Sequence, residues 1–98
     1  MGLSIIVGAD IAGVNYKEAL KQDLEADPRV DRVIDVGVNP GQDIDYPHVA
    51  VEAARKVAAG EADRALLVCG TGMGMAIAAN KVPGIRASVA HDSFSVER

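Results

Sequence analysis

LLVCGTGMGMAIAANK, residues 66–81, joins an apolar run to three glycines and then to a run of helix-forming residues. The apolar run ends at Cys69, the glycines follow at positions 70, 72 and 74, and the helical pattern begins near Met75. A strand, a tight loop and a helix N-terminus in this order leave backbone amides free to bind an anion. The loop matches neither the dinucleotide fingerprint G-x-G-x-x-G nor a phosphate loop ending in Lys-Ser/Thr. The alternative is a tight turn that only requires small residues.

Strand-like and helix-like segments alternate outward from this loop. Four short apolar segments are typical of buried strands. They are residues 3–8, 30–37, 62–69 and 85–90. The helical segments are 12–25, 47–59, 75–80 and a fourth that begins at Asp92 or Ser93. The order β-α-β-α-β-α-β-α predicts an α/β, Rossmann-like three-layer fold with a parallel sheet between helices.

The first helix and the end of the chain lead to two further expectations. In the first helix the apolar positions 16, 19, 20 and 24 predict the buried face, with Lys17 and Lys21 on the opposite, solvated face. The chain stops at Arg98, soon after the fourth helix begins and without a helix stop signal. We therefore expect one domain, residues 1–98, whose C-terminal part is missing.

Composition and charge narrow the classes of partner and compartment. The 98 residues carry a net charge of −4, which argues against nucleic acid and acidic membranes as partners. No apolar run approaches the ~20 residues that span a bilayer, and the start lacks the basic region of a signal peptide. A single cysteine cannot form an internal disulfide, which favours the reducing cytoplasm. No residues have the spacing of metal ligands, so we expect neither a metal nor a cofactor.

Polar groups follow the predicted strands at the edge of the sheet where open parallel sheets bind ligands. Asp10 follows the first strand, Cys69 ends the third and His91 ends the fourth. Cys69 is either a small buried hydrophobe or a thiolate that acts as a base beside the amides of the glycine loop. Asp10 either caps the first helix or binds sugar hydroxyls.

Other residues near this edge also have two interpretations. Thr71 either caps the third helix or donates a hydrogen bond to a ligand. His48 is interpreted as a solvated residue in the first turn of the second helix, and His91 as either a surface residue or a site residue. Met73 and Met75 are interpreted as apolar filler around the loop rather than as ligand contacts.

Four stretches resemble the family of type B ribose-5-phosphate isomerases and galactose-6-phosphate isomerase subunits. The most specific is CGTGMGMAIAANKVPGIRA (69–87), and the others are GADIAG (8–13), YKEAL (16–20) and DYPHVA (45–50). They occur in family order, and the chain corresponds to about the first two thirds of a typical member. The resemblance implies a metal-free aldose–ketose isomerase that acts on a phosphorylated sugar and moves a proton between C1 and C2 through an enediolate.

The resemblance also implies roles for individual residues. Cys69 matches the catalytic base, and Thr71 and Asp10 match residues that contact the substrate and assist ring opening. Tyr46 matches an aromatic residue of the substrate site. The implied substrate-binding residues are Asp10, Ile11, Tyr46, Gly70, Thr71, Gly72, Met73 and Gly74, with the amides of the glycine loop holding the enediolate oxygen.

Two departures from the family pattern bear on substrate and activity. Position 11 is Ile, where many ribose-specific members carry His, which favours another sugar phosphate such as a tetrose phosphate. The family's ring-opening histidine and phosphate-binding arginines lie mainly beyond the point that matches Arg98, and several come from the partner subunit of a dimer. We therefore expect a homodimer or tetramer, and little isomerase activity from the 98 residues alone. The alternative function is a non-catalytic phosphosugar- or nucleotide-binding module that uses the glycine loop as an anion cradle; a structural α/β domain without a ligand is a third.

Overall fold

The computed structural model describes residues 2–39 and 41–94 and contains three strands and three helices in alternation. In chain order they are β1 (Leu3–Ala9), α1 (Val14–Ala26), β2 (Val30–Asp35), α2 (Tyr46–Ala58), β3 (Arg64–Val68) and α3 (Met73–Asn80). The strands form one parallel sheet in the order β2-β1-β3. The predicted α/β class and the first six predicted elements are confirmed, with boundaries that shift by up to two residues.

The central strand β1 is the most deeply buried part of the sheet. Its residues from Ile5 to Ala9 are buried, because neighbours cover both edges and helices cover both faces. Val7 pairs with Asp35 of β2, and Ala9 pairs with Val68 of β3. The register therefore brings the carboxyl ends of all three strands to one edge of the sheet.

The helices lie on both faces of the sheet, because the connections from β1 to β2 and from β2 to β3 run in opposite directions across it. Right-handed crossovers from β1 to β2 and from β2 to β3 place α1 and α2 on opposite faces. Helices α2 and α3 pack on each other, and the main core lies beneath them. Its buried members are Val38, Val49, Ala50, Ala54, Met75, Ala79 and Val82. Within the described ranges, no helix is both long and apolar enough to cross a bilayer.

The prediction of a fourth strand at residues 85–90 is wrong, because this segment is irregular and pairs with no strand. A strand needs a ladder partner, and the outer edge of β3 is the edge it would join. The backbone amide and carbonyl of Ala87 are instead bonded to the side chain of Asn80, each at 2.8 Å. The predicted fourth helix begins a helical turn at Ser93 and Phe94, and the remainder of that prediction lies outside the described residues.

The buried face of α1 also differs from the expectation. Lys17 is completely buried, whereas Tyr16 is 72% exposed. The helix is rotated so that Lys17 points towards Asp35 at the end of β2, where its ammonium forms hydrogen bonds and an ion pair. Apolar periodicity misplaced this face because Lys17 is buried through partners on other elements, which the helix sequence does not reveal.

Candidate active site

Asp10 and Cys69 leave neighbouring strands side by side. They directly follow Ala9 and Val68, which are paired in the parallel ladder. The amide of Asp10 donates to the carbonyl of Val68 at 3.2 Å, so the contact between the two chains continues past the strand ends. The expectation that these two residues reach one edge of the sheet is met by the backbone.

Cys69 is half-buried and its sulfur accepts a hydrogen bond. The thiol packs against the main core, and its Sγ lies 3.0 Å from the amide nitrogen of Gly72. Gly72 has a φ of 82°, a conformation that glycine adopts without steric cost, and the chain enters α3 directly after it. Cys69 is thus both a packing residue and the neighbour of an amide donor at the start of α3.

The glycine loop turns tightly into α3. The Thr71 hydroxyl accepts a hydrogen bond from the Met73 amide at 3.3 Å, and the Gly72 carbonyl accepts the first helical bond from Ala76 at 3.0 Å. Thr71 thus bonds the turn that precedes α3, although Gly72 and not Thr71 is the cap residue of this helix. Its side chain is also exposed at the edge, and Met73 beside it is exposed as well.

Tyr46 lies directly against the first turn of α3. A Cβ atom at Gly74 would come within 2.5 Å of the Tyr46 ring, so the ring occupies the space that a side chain at position 74 would need. Tyr46 begins α2, and the ring is partly exposed at the same edge as the glycine loop. This contact brings Tyr46 to the loop as the sequence predicted.

The turn between β1 and α1 is held by Asp10. The Gly13 amide is 3.0 Å from the Asp10 carboxylate oxygen Oδ1 and 3.1 Å from its backbone carbonyl. Asp10 thus has a turn-capping role, one of its two predicted roles, although Gly13 and not Asp10 directly precedes the helix. Ile11, at the tip of the turn, is 57% exposed.

A cavity of about 740 Å³ opens beside the thiol. One wall is β3 together with residues from Cys69 to Gly72, and the other is the segment 84–91. Parts of α1 and α3 close its ends, and much of the lining is apolar. Asp10, Ile11 and Tyr46 are not among the lining residues, so the candidate residues are divided between this cavity and the outer edge of the sheet.

The remaining candidate residues are two histidines and two methionines. His48 is exposed and lines a separate groove of about 680 Å³ on the outer side of α2. His91 lines the cavity beside Cys69, with its imidazole 3.3 Å from the Asp92 carboxylate. Met75 is buried in the core, in agreement with its interpretation as apolar filler, whereas Met73 is exposed. Among residues 2–39 and 41–94, no group of three or more His, Cys, Asp or Glu side chains could hold a metal.

The sequence analysis missed an ion pair next to this edge. The Lys17 ammonium is 2.9 Å and 3.0 Å from the two carboxylate oxygens of Asp35, and Lys21 is 3.3 Å from the same carboxylate. Burial alone would raise the pKa of Asp35, but hydrogen bonds from Lys17, the Gly37 amide and Lys21 hold it below its ordinary value. Burial alone would lower the pKa of Lys17, but its bonds to Asp35 and Glu18 raise it above the ordinary value.

Comparison with known proteins agrees with the geometry of this edge. The sequence profile described as Ribose/Galactose Isomerase matches residues 5–98. The chain belongs to this family. It is thus a member of the sugar-phosphate isomerase family that the sequence analysis predicted, and the family's Rossmann-like α/β fold is the one observed.

Individual relatives extend this assignment. The chain is 67% identical to D-erythrulose-4-phosphate isomerase 2 of Mycolicibacterium smegmatis, a match that covers all of this chain and 65% of the relative. It is 41% identical to the D-erythrulose-4-phosphate isomerase of Pectobacterium atrosepticum over 98% of this chain and 62% of the relative. The type B ribose 5-phosphate isomerase of Trypanosoma brucei superposes with a TM-score of 0.88 at 42% identity, covering 97% of this chain and 64% of that one. The chain thus spans slightly less than two thirds of these proteins.

Proposed function

We propose that the protein is an aldose–ketose isomerase of phosphorylated sugars in which Cys69 is the general base. The observation that carries the proposal is the placement of the Cys69 sulfur, 3.0 Å from an amide at the start of α3 and on the strand next to Asp10. The Gly72 amide donates to the sulfur at the N-terminus of α3, where backbone amides remain free to bind a second acceptor. A base beside amide donors is the arrangement that proton transfer next to a carbonyl requires.

The proposed reaction moves two protons within one molecule. The Cys69 thiolate removes the proton from the carbon next to the carbonyl, and the C–H electron pair forms a carbon–carbon double bond. The carbonyl π electrons move onto oxygen, and amides of the loop from Gly70 to Gly74 stabilise the resulting enediolate. A hydroxyl proton passes to the neighbouring oxygen, and the thiol returns its proton to the adjacent carbon. No atom is gained or lost, and no oxidant or reductant is needed.

Asp10 and Tyr46 provide the surroundings of this step. The Asp10 carboxylate, held in its turn by Gly13, accepts a hydrogen bond from a substrate hydroxyl. The Tyr46 ring, held against Gly74, forms an aromatic wall at the start of α2. Both groups are fixed by close backbone contacts, which is the preorganisation that orientation-dependent catalysis requires.

The substrate class that we propose is a four-carbon sugar phosphate. Ile11 presents an exposed apolar side chain at the tip of the turn that also carries Asp10. An apolar side chain cannot pair with an additional hydroxyl or ring oxygen of a longer sugar, and an unpaired polar group costs binding energy. Two relatives named as D-erythrulose-4-phosphate isomerases support this choice over ribose 5-phosphate.

The role of Cys69 is tested with Cys69→Ser in the protein as its gene encodes it. Turnover is measured in deuterated water with tetrose, pentose and hexose phosphates, and deuterium is scored at C2. We expect turnover and C2 exchange to fall by about 10²–10⁴-fold, since this is the usual contribution of a general base. Substrate affinity, measured by calorimetry, should change little. His48→Gln is the matched control and should keep full activity, because His48 lies in the groove outside α2.

The same experiment separates the enzyme from a binding module. If the natural protein binds sugar phosphates but leaves no deuterium at C2, and Cys69→Ser binds equally well, the glycine loop is only an anion cradle. That outcome would remove the proposed catalytic function and leave the alternative.

The substrate preference is tested at position 11. Ile11→His introduces a group that can hydrogen-bond the extra polar atom of a pentose phosphate. One such bond contributes about 1 kcal/mol, so the ratio of kcat/KM for ribose 5-phosphate over erythrulose 4-phosphate should rise about fivefold. Ile11→Val retains an apolar side chain and should keep the natural preference. An unchanged ratio in Ile11→His would mean that position 11 does not select the substrate.

A further inference from the structure

Lys17 occupies the junction of three segments next to the candidate site. It lies in the first turns of α1 and is completely buried. Its Nζ donates to both carboxylate oxygens of Asp35, at the end of β2, and to the carbonyl oxygen of Val38 at 2.7 Å. Glu18 completes its surroundings, with Oε1 at 3.0 Å from the ammonium.

Val38, whose carbonyl Lys17 contacts, is bonded in turn through its amide to the residue before Asp10. The Val38 amide donates to the carbonyl of Ala9, and the Ala9 amide donates to the carbonyl of Gly37, each at 2.7 Å. Asp35 strengthens the same corner, since its Oδ1 accepts from the Gly37 amide at 2.8 Å. A continuous chain of short hydrogen bonds therefore runs from the Lys17 ammonium to Ala9, one peptide bond away from the Asp10 carboxylate.

The energetics of buried ion pairs favour a geometric role for Lys17. Taking two charges out of water costs about as much as their attraction returns, and an apolar pair of similar volume is often as stable or more stable. An apolar pair, however, has no donor for the carbonyl oxygen of Val38, which is also buried. The specific contribution of Lys17 is therefore the fixed position of Val38.

We infer that Lys17 is a positioning residue of the candidate site, which sets the point from which Asp10 leaves β1 by holding Val38 against Ala9. This inference rests on the proposed function for the role of Asp10. Lys17 acts only through Val38 and Ala9, and it contacts no reacting atom.

The test separates position from stability with a double variant. Lys17→Met combined with Asp35→Leu removes both buried charges and keeps an apolar filling, so we expect the fold to be retained. The Val38 carbonyl then loses its donor, and the Gly37 amide loses its acceptor. We expect kcat/KM to fall at least tenfold, because a displacement of about 1 Å in a catalytic group can cost about 10²-fold. Amide hydrogen exchange across Asp10 to Gly13 should accelerate. Lys21→Met is the matched control, since it removes a weaker contact to Asp35 without touching Val38.

The outcomes of this test distinguish a failure of the Lys17 inference from a failure of the proposed function. Activity is measured with D-erythrulose 4-phosphate and D-ribose 5-phosphate, and Lys17→Gln is studied beside the double variant. A folded double variant with natural kcat/KM and natural exchange at residues 10–13 would overturn the inference. If both variants fail to fold, Lys17 supports the fold itself and the inference is also overturned. If the natural protein turns over neither sugar, the proposed function fails, and the exchange measurement alone decides the role of Lys17.

Discussion

At position 13 the chain has no room for a side chain, because β3 ends directly against the turn that carries Asp10. A Cβ atom there would lie 2.6 Å from the carbonyl oxygen of Val68. The obstacle is backbone in a sheet, so it cannot rotate away as the end of a flexible side chain could. Gly13 is thus required by close packing and not by a positive φ, since its φ is −102°.

Replacing Gly13 by Ala should therefore destabilise the fold and displace Asp10. We expect a loss of about 1–3 kcal/mol in the free energy of unfolding, which is typical of overpacking, measured by urea denaturation. Isomerase activity should fall with it, because the Gly13 amide holds the Asp10 carboxylate. Gly70→Ala is the control for stability, since a Cβ at position 70 would meet no atom within 4 Å. Equal stability of the two variants would contradict this account of Gly13.

Cys69 shows why a single position can support two interpretations from sequence. A half-buried thiol packed on the core and a thiol that receives an amide hydrogen bond occupy the same place at the end of β3. The glycines at 70, 72 and 74 predicted a tight turn, but not that the Gly72 amide would point back at the sulfur. That direction is set by the backbone dihedral angles between Cys69 and Gly72, which the sequence does not specify.

At the scale of elements, Asn80 joins the end of α3 to the segment 85–90. Its amide nitrogen donates to the carbonyls of Ala76 and Ala87, and its oxygen accepts from the Ala87 amide. The side chain thus takes the place of a neighbouring strand for Ala87. Sequence patterns identified 85–90 as a strand because its apolar residues suit one, but they could not show that a side chain would bind its backbone first.

Asn80→Leu should release this segment while leaving α3 in place. Three hydrogen bonds are lost at an exposed site, where each contributes about 0.5–1.5 kcal/mol at most, so we expect destabilisation of about 1–2 kcal/mol. The Ala87 amide should exchange its hydrogen faster, which is measurable by NMR or mass spectrometry. Gln22→Leu, an exposed change on α1, should alter stability by less than about 0.5 kcal/mol. Unchanged exchange at Ala87 would show that Asn80 does not hold the segment.

At the scale of the whole molecule, the Lys17–Asp35 pair couples unfolding to pH. The pKa of Asp35 is lowered in the folded state, so its stabilisation is present above its ordinary pKa and is lost as the pH falls through the lowered value. The pKa of Lys17 is raised, so its stabilisation is present below its ordinary pKa and is lost as the pH rises through the folded value. Glu18 and Lys21 face the same pair and belong to the same network.

We therefore expect the free energy of unfolding to decrease on acidification below about pH 4, the ordinary range of an aspartate. In Asp35→Asn, the free energy of unfolding measured by urea titration should fall less on acidification, at both low and high salt. Asp27→Asn is the comparison variant: hydrogen bonds from Arg29 lower the pKa of Asp27 to about 2, but this pair is exposed. The contribution of Asp27 to the loss of stability at low pH should disappear at high salt, because salt screens exposed charges. If high salt removed the whole loss of stability at low pH, that loss would come from surface ion pairs rather than from Asp35.

Prediction from sequence succeeded where the pattern of apolar residues and glycines in a segment matches the position of that segment in the fold. Apolar strands, the helical segments between them and the glycine loop after Cys69 predicted six elements, their parallel sheet and the edge that carries the candidate residues. Prediction failed where a residue's partners come from distant parts of the chain, as for Lys17, whose contacts lie on β2 and the following loop. The proposed roles of the site residues and the predicted homodimer or tetramer stay predictions.

The pairing of Ala9 with Val68 also has a consequence for how such a chain can change over evolutionary time. A parallel ladder advances about 3.3 Å per residue, and neighbouring residues point to opposite faces. One inserted or deleted residue within β1 or β3 would therefore separate Asp10 from Cys69 and turn one of them to the wrong side. Residues 41–45, which are exposed before α2, are paired with no strand and carry no such register. Length variation among descendants of this chain should accumulate there and be purged from the two strands.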